Sequence, residues 1–300
     1  MSPVSGDTPG GTAYLALRRE ALARQRPTEE LLQRYVLEGF LSRLTTSTFR
    51  DAFVLKGGVL LTAMDSRRPT RDIDLAAREL SDDAESVLEA IRAILEESTQ
   101  SDDGIDFDTD SLTAHTIRDE DKYSGVRVKA TAKLATARLT FHVDVNVGDA
   151  IWPEPGIVRV PRLLGGGPIE FIGYPLAMVY AEKVVTAIQR GTTNTRWRDF
   201  ADIWMLSRRY SITGLELCGA VETVARHRGA ALNALSGVLA GYSALAQPKW
   251  EAWRQRLSLV ELPEEFESVL ATVIAFIDPI LEATAAEHRW DPGAQEWEPV

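Results

Sequence analysis

The sequence predicts an α/β (α+β) protein, in which an amino-terminal part with a mixed sheet is followed by a helical carboxy-terminal part. Two segments, 126–134 and 139–147, alternate apolar and polar residues with the period of a half-buried strand. The break between them, 135–137, is short enough for an antiparallel hairpin. One face of each strand is therefore expected to be core, and the other to line a cleft or face water. After Tyr174-Pro175 the pattern becomes helical as far as about residue 287.

The elements before the hairpin follow from local signals. Thr28 and two acidic residues after it are typical of the start of a helix. Val54 and Leu55 form a strand that leads into a glycine turn, and residues 59–64 have helical composition. A strand is expected around 72–74, and a helix with an apolar stripe is expected to begin at Ser81 as its N-cap.

These elements predict four segments of chain. Residues 1–12 are rich in Gly, Pro and Ser and are expected to be disordered. Residues 13–170 are expected to form the α/β domain, and residues 171–287 a helical domain. Residues 288–300, which contain Pro and Gly, are expected to be a flexible tail.

Charge and composition limit the classes of function. The 300 residues carry a formal net charge of −11, with 45% hydrophobic and 26% charged residues, which is ordinary for a globular chain. The acidic total argues against general electrostatic coating of nucleic acid, but it leaves room for a local basic cleft. No apolar run approaches the roughly 20 residues of a membrane span. A lone cysteine, Cys218, and a start without the pattern of a signal peptide lead us to expect the cytoplasm.

The chemistry is concentrated in a glycine turn followed by two carboxylates. Lys56-Gly57-Gly58 precedes Asp72-Ile73-Asp74 by fourteen residues, with Arg67, Arg68 and Arg71 in between. Asp72 and Asp74 are two apart in a strand, so their side chains point to the same face. Aligned carboxylates are typical ligands of a hard divalent cation such as Mg²⁺, and glycines let the backbone approach phosphates. Each motif alone is also common by chance, so further residues decide between the two interpretations.

Three further positions extend this candidate site, each with an ordinary alternative. Asp144 lies on the polar face of its strand, where it is either a third ligand or proton acceptor, or simply solvated. Lys183 lies in an apolar helix, where it either neutralises a triphosphate or reaches the surface. Asp199 and Asp202 begin the next helix, where complementarity to the helix dipole alone would explain them.

Together these residues resemble the AbiEii/MenT nucleotidyltransferases, the toxin halves of bacterial abortive-infection toxin–antitoxin pairs. The resemblance covers roughly residues 30–210. The matching segments, in the family's order, are Lys56-Gly57-Gly58, Thr70-Arg71-Asp72-Ile73-Asp74, Asp144, Glu182-Lys183 and Arg198-Asp199-Phe200-Ala201-Asp202. One departure is Gly58, which stands where broader nucleotidyltransferases have Ser and leaves phosphate contact to backbone N–H groups.

The resemblance implies a nucleotidyltransferase (polymerase-β-like) fold and Mg²⁺-dependent transfer of a nucleotide from an NTP. It implies metal binding by Asp72, Asp74 and Asp144, with Lys183 and Asp199 completing the catalytic set. The residues implied to bind the nucleotide and its phosphates are Lys56, Gly57, Gly58, Thr70, Arg71 and Asp202. In the MenT branch the acceptor is the 3′ end of tRNA, which blocks aminoacylation and translation. A cognate antitoxin is a further implied partner, and no membrane is implied.

Two other interpretations stay open. The acceptor is instead a small molecule or a protein side chain if the chain lacks a basic path for RNA phosphates. The candidates for such a path are Arg127, Lys129, Lys133, Arg190, Arg196, Arg198, Arg208 and Arg209. The last interpretation is a non-catalytic, NTP-binding regulatory protein that keeps the fold.

Overall fold

The computed structural model describes residues 4–64, 70–78, 80–99, 102–118, 124–257 and 259–300. The chain divides into two compact units. The first unit contains residues 1–149 and 156–174, and the second contains residues 150–155 and 175–300. Within the described part of the chain, none of the helices is both long and apolar enough to cross a membrane.

The first unit combines helices with one mixed sheet. Its described helices are α1 (Pro9–Ala23), α2 (Thr28–Thr46), α3 (Gly57–Ala63) and α4 (Ala84–Glu96), with a 3₁₀ turn at Thr109–Ser111. Its eight described strands are β1 (Phe53–Lys56), β2 (Asp72–Ala77), β3 (Ile105–Phe107), β4 (Thr113–Arg118), β5 (Ser124–Leu134), β6 (Ala137–Val147), β7 (Gly156–Val160) and β8 (Ile169–Gly173). The helix expected to be capped by Ser81 begins later, because the Asp83 side chain caps it by accepting the Ser86 N–H at 2.8 Å.

The sheet order is β3-β5-β6-β2-β1-β8-β7, with β4 also paired to β5. Strands β5 and β6 form the predicted antiparallel hairpin, and Ala135 in its turn has φ +50°. Strand β2 runs parallel to β6 and antiparallel to β1, while β8 runs parallel to β1. The sheet is therefore mixed, as predicted.

The two faces of the sheet differ in character. The alternating apolar side chains of β2, β5 and β6 form one face, and Ile73, Val128 and Val143 on it are fully buried. Helix α2 packs on this face, with Phe40 in edge contact with Phe141 at a centroid distance of 6.2 Å. The opposite face carries the polar residues of the same strands, which is where the candidate site lies.

A buried carboxylate lies between α2 and the segment after β7. One oxygen of Glu38 accepts the Leu163 N–H at 3.1 Å, and the other lies 3.3 Å from the Arg34 guanidinium. Burial raises the pKa of Glu38 to about 7, although the Leu163 N–H, Arg34 and Arg162 act in the opposite direction. Glu38 is thus a buried group that titrates near neutrality.

The second unit is mainly helical, as the periodicity after residue 175 predicts. Its described helices are α5 (Leu176–Arg190), α6 (Trp197–Ser207), α7 (Gly214–Arg228), α8 (Leu235–Val238), α9 (Tyr242–Arg256) and α10 (Phe266–Leu281), with a 3₁₀ turn at Gly191–Thr193. An aromatic cluster joins α6, α9 and α10, because Phe266 contacts the rings of Phe200, Tyr242 and Trp250 at centroid distances of 5.2–5.7 Å.

Both end segments contain regular structure among their described residues. Within the segment 1–12, expected to be disordered, α1 already begins at Pro9, with the Thr8 side chain accepting the Gly11 N–H at 3.1 Å. Within the expected tail, β9 (His288–Asp291) and β10 (Glu296–Pro299) form a hairpin. The buried Trp290 secures it, because the indole N–H donates to the Ser207 carbonyl at 2.6 Å.

Candidate active site

Strand pairing places the predicted acids on one face of the sheet. Parallel pairing of β2 with β6 sets Asp74 beside Asp144 and Asp72 beside His142. Residues that are opposite each other on neighbouring strands point to the same face. Pairing of β6 with β5 adds Arg127 beside Asp144, and pairing of β2 with β1 adds Lys56 beside Asp74. A row of four charged residues therefore crosses four strands: Arg127, Asp144, Asp74 and Lys56.

Asp74 interacts with four neighbouring groups of this face, Lys56, Gly58, Asp72 and Asp144. Burial raises its pKa to about 6. Lys56 and the Gly58 N–H lower the pKa of Asp74, and the Asp144 and Asp72 carboxylates raise it. The Gly58 N–H lies 3.4 Å from Asp74 Oδ2. The unfavourable environment of the Asp74 carboxylate is the environment that a bound cation would relieve.

The glycine turn makes room for this carboxylate. Gly57 has φ +64°, and a Cβ added there would lie 2.7 Å from Asp74 Cβ and closer still to the carboxylate. A Cβ added at Gly58 would lie 2.6 Å from Thr70 Oγ1. Thr70 is held in place because its hydroxyl donates to the Asp72 carbonyl at 3.1 Å. The departure at Gly58 therefore provides the space that the Thr70 side chain fills.

Asp144 is held by a two-point ion pair. Arg127 Nε donates to Asp144 Oδ1 at 2.7 Å, and Arg127 Nη2 donates to Oδ2 at 2.6 Å. The hydrogen bond and the charge of Asp144 raise the pKa of the Arg127 guanidinium further above its usual range. Arg127 therefore engages both oxygens that are predicted to serve as a metal ligand or proton acceptor.

Asp72 and Arg71 lie nearer to solvent. His142 Nδ1 is 3.0 Å from Asp72 Oδ1, so a proton on Nδ1 allows this nitrogen to donate. Arg71 is exposed and lies 3.5 Å from Glu29. Arg67 and Arg68 lie outside the described residues.

Lys56 forms a buried ion pair that was not predicted. Its Nζ lies 2.6 Å from Asp149 Oδ2, an oxygen that also accepts the Tyr174 hydroxyl at 3.0 Å. Asp149 follows the end of β6 and belongs to the first unit, as Tyr174 does. Lys56 is thus anchored beside Asp74 by a carboxylate on its other side.

The second unit contains the remaining predicted residues in one cluster. Lys183 Nζ on α5 lies 2.9 Å from Asp199 Oδ1 and 2.8 Å from Asp202 Oδ2 on α6. Arg196 Nε donates to the other oxygen of Asp199 at 2.6 Å. Asp202 is 1% exposed, so its carboxylate is committed to the interior of the unit. The three residues are brought together, and their part in catalysis stays a prediction.

The types of residue on this face suit a divalent cation, but the Arg127 guanidinium is paired with one of the predicted ligands. Carboxylate oxygens from neighbouring strands are the ligands that Mg²⁺ prefers. Among the described residues, however, no group of three or more His, Cys, Asp or Glu side chains is arranged to hold a metal ion. Both Asp144 oxygens are engaged by Arg127. The predicted ligand pair is therefore Asp72 and Asp74, and Asp144 would join them only if Arg127 released it.

Sequence reasoning missed two residues of this face and gave a third another role. His142 could have been recognised, since it is two residues before Asp144 on the same polar face. Asp149 could not, because it lies beyond the alternating strand. Arg127 was assigned to RNA contact rather than to Asp144.

The chain is similar to a known family and to two solved structures. The family model for the nucleotidyl transferase AbiEii toxin of type IV toxin–antitoxin systems matches residues 39–274. Two crystal structures from Helicobacter pylori are similar at 16% identity. One is JHP933, with a TM-score of 0.48, 85% of this chain covered and 94% of that chain. The other is described as a "putative nucleotidyltransferase", with a TM-score of 0.49 and coverages of 85% and 96%. No curated protein matches.

A mixed sheet that presents paired acids after a glycine turn defines the class as a nucleotidyltransferase, and the predicted fold is confirmed. Since the family model spans most of the chain, the protein belongs to the AbiEii nucleotidyl transferase toxin family.

Proposed function

We propose that this toxin uses Mg²⁺ to transfer a nucleotide from an NTP to the 3′ end of tRNA, in the cytoplasm. The modified tRNA can no longer be aminoacylated, so translation stops, and a cognate antitoxin neutralises the effect. The observation that carries the proposal is the register of β2 and β6, which aligns Asp72, Asp74 and Asp144 on one face.

The reaction is an in-line displacement at the α-phosphorus. The RNA hydroxyl oxygen forms the new bond to phosphorus, the bond to the β-phosphate oxygen breaks, and pyrophosphate leaves with the electron pair. Mg²⁺ would supply charge neutralisation on the triphosphate and on the attacking oxygen. Asp72 and Asp74 hold the cation, and Lys56 limits the repulsion around Asp74.

Asp144 is better suited to ligation than to proton transfer. Both oxygens of Asp144 accept hydrogen bonds from the Arg127 guanidinium, and a divalent cation can compete with that charge, whereas the neutral hydroxyl of the acceptor cannot. The proton of the attacking hydroxyl is therefore assigned to solvent or to the substrate.

A polynucleotide acceptor is favoured by the basic residues of the same sheet face. Lys129 lies two residues and Lys133 six residues after Arg127 along β5, and both are exposed. At roughly 3.4 Å per residue, the three basic positions span roughly 20 Å. Such a path suits a phosphate backbone better than a small acceptor does. The alternatives, a small-molecule or protein acceptor and a non-catalytic NTP-binding role, lack a comparable observation in their favour.

The test is transfer of label from each of the four α-³²P NTPs to purified tRNA in the presence of Mg²⁺. We expect label at the tRNA 3′ end, and we expect Asp72→Asn to reduce it by about two orders of magnitude or more, because a metal site supplies several kcal/mol of transition-state stabilisation. Asp51→Asn is the matched control, since Asp51 is an exposed acid of the same unit.

Two results would count against the proposal. Undiminished labelling by Asp72→Asn, or labelling that survives chelation of divalent cations, contradicts the metal assignment. Efficient labelling of a small molecule or protein, with none of RNA, moves the acceptor to the alternative class. Growth inhibition on expression, lost in Asp72→Asn and retained in Asp51→Asn, links the chemistry to toxicity.

A further inference from the structure

The ion pair between Arg127 and Asp144 has a geometry that bears on how the site assembles. Both carboxylate oxygens of Asp144 accept hydrogen bonds from one guanidinium, at 2.7 and 2.6 Å. A cation that coordinates Asp144 has to displace at least one of these donors. Arg127 therefore occupies the position of a cation at the third predicted ligand.

The two partners differ in their access to solvent. The Arg127 side chain is 35% exposed, whereas that of Asp144 is 12% exposed. The guanidinium thus lies on the open side of the pair and the carboxylate behind it. An anion that approaches this face meets Arg127 before it meets Asp144, so Arg127 is the partner that can change its contact without unfolding the sheet.

A guanidinium binds phosphate with the same two-point geometry as carboxylate. Arg127 therefore has an alternative partner in a nucleoside triphosphate, which is the donor in the proposed function. The acids on this face also act on Arg127 as a group, since Asp72 and Asp74 add to the electrostatic effect of Asp144. A divalent cation bound to these acids would oppose the positive charge of Arg127.

We propose that Arg127 is a phosphate-binding residue that closes the metal site by holding Asp144, and that it exchanges this carboxylate for the triphosphate when substrate arrives. The inference rests on the proposed function. Metal and nucleotide then bind with positive coupling. Nucleotide binding draws Arg127 away from Asp144 and frees this carboxylate for the metal, and metal binding to Asp144 frees Arg127 for the phosphates. Without nucleotide, the third ligand is withheld from the cation.

The test measures metal and nucleotide binding separately, without catalysis. Mn²⁺ affinity is read from the free-ion signal in electron paramagnetic resonance, with and without the α,β-methylene analogue of each NTP. For Arg127→Ala we expect Mn²⁺ alone to bind about tenfold more tightly, since a competing charge-assisted contact is gone. We expect affinity for the analogue in saturating Mn²⁺ to fall by about tenfold or more.

An increase in Mn²⁺ affinity together with a decrease in analogue affinity distinguishes this role from a structural one. Loss of a purely structural residue would weaken both. Arg138→Ala is the matched control, because Arg138 is an arginine of the same hairpin whose 3.5 Å contact with Asp108 lies at the surface. Arg127→Lys keeps the charge but cannot make the two-point contact, and should fall between wild type and Arg127→Ala. Circular dichroism confirms that each variant is folded.

The outcomes separate this inference from the proposed function. If wild type binds Mn²⁺ through Asp72, as judged by Asp72→Asn, and folded Arg127→Ala binds Mn²⁺ alone with unchanged or lower affinity, the exchange is refuted and the metal site survives. If Mn²⁺ binds neither wild type nor Arg127→Ala, even with nucleotide, the proposed function itself fails.

Discussion

Replacing Gly57 by Ala tests whether the glycine turn exists to admit Asp74. The left-handed backbone at φ +64° costs a residue with a Cβ about 1–2 kcal/mol. The new methyl would also lie 2.7 Å from Asp74 Cβ. Overpacking of this kind costs typically about 1–3 kcal/mol. We therefore expect Gly57→Ala to lower the free energy of unfolding of the first unit by about 2–5 kcal/mol.

Gly165→Ala separates the two terms. Gly165 has φ +84°, and no atom lies within 4 Å of the Cβ that Ala would add, so this variant incurs only the backbone term. The double variant Gly57→Ala/Asp74→Ala removes the closer contacts with the Asp74 carboxylate and keeps only the 2.7 Å contact with the Cβ, so it should be less destabilised than the single effects added together. All three variants should leave the stability of the second unit unchanged.

The choice of probe makes the assay specific to one unit. All seven tryptophans lie in the second unit, at positions 152, 197, 204, 250, 253, 290 and 297. Unfolding of the first unit is therefore followed by amide hydrogen exchange in β1 and β2, with tryptophan fluorescence reporting on the second unit. Equal losses of stability for Gly57→Ala and Gly165→Ala would refute the proposed contact with Asp74.

Three further changes test other buried charges. Glu38 has a folded-state pKa of about 7, above the unfolded value near 4.5. Wild type therefore loses about 3 kcal/mol of stability from this group as pH rises from below 4.5 to above 7. Glu38→Gln avoids this loss, so its stability relative to wild type should increase with pH in urea titrations. A difference that does not change with pH would contradict the assignment. Asp149→Asn weakens a charged contact and should lower the stability of the first unit by about 1.5–3 kcal/mol, against about 0.5–1.5 kcal/mol for Tyr174→Phe. Both losses are measured by hydrogen exchange, and the reverse order would be evidence against the anchoring of Lys56 by Asp149. Asp202→Asn should destabilise the second unit by about 1.5–3 kcal/mol, read by tryptophan fluorescence, and a neutral result would show that Asp199 alone suffices for Lys183.

The sequence predicts those parts of the fold that depend on local patterns. Alternation over eleven residues is enough to define β5 and β6, and the same period sets Asp72 and Asp74 on one face. Strand β8 is five residues long and pairs with β1, more than a hundred residues earlier, so no local signal specifies it. The chain ends were judged by composition, which does not report that Gly10 and Trp290 are buried.

One contact of the site could have been predicted from the sequence and was missed at the turn of the hairpin. The hairpin closes with Leu134 opposite Ala137, a two-residue turn, and this register sets Arg127 opposite Asp144. The break was placed at 135–137 without a register, so no residue of β5 was paired with Asp144. Alternation limits the choice, because a slip of one residue would set the polar side chains of one strand opposite the apolar side chains of the other. The contacts of Asp144 with Asp74, and of Lys56 with Asp149, are non-local and could not be predicted this way.

The charge balance of the face supports the proposed binding of a cation. Among the described residues, the contacts given above join four carboxylates, Asp72, Asp74, Asp144 and Asp149, to the two cations Lys56 and Arg127, with a formal excess of two negative charges. Buried carboxylates without compensation are costly, and the raised pKa of Asp74 is the local expression of that cost. A sheet selected for stability alone would place apolar residues or further basic residues at these positions. This excess equals the charge of the one divalent ion in the proposal, and removing Arg127 would increase it, which is why we expect metal affinity and nucleotide affinity to respond to that residue in opposite directions.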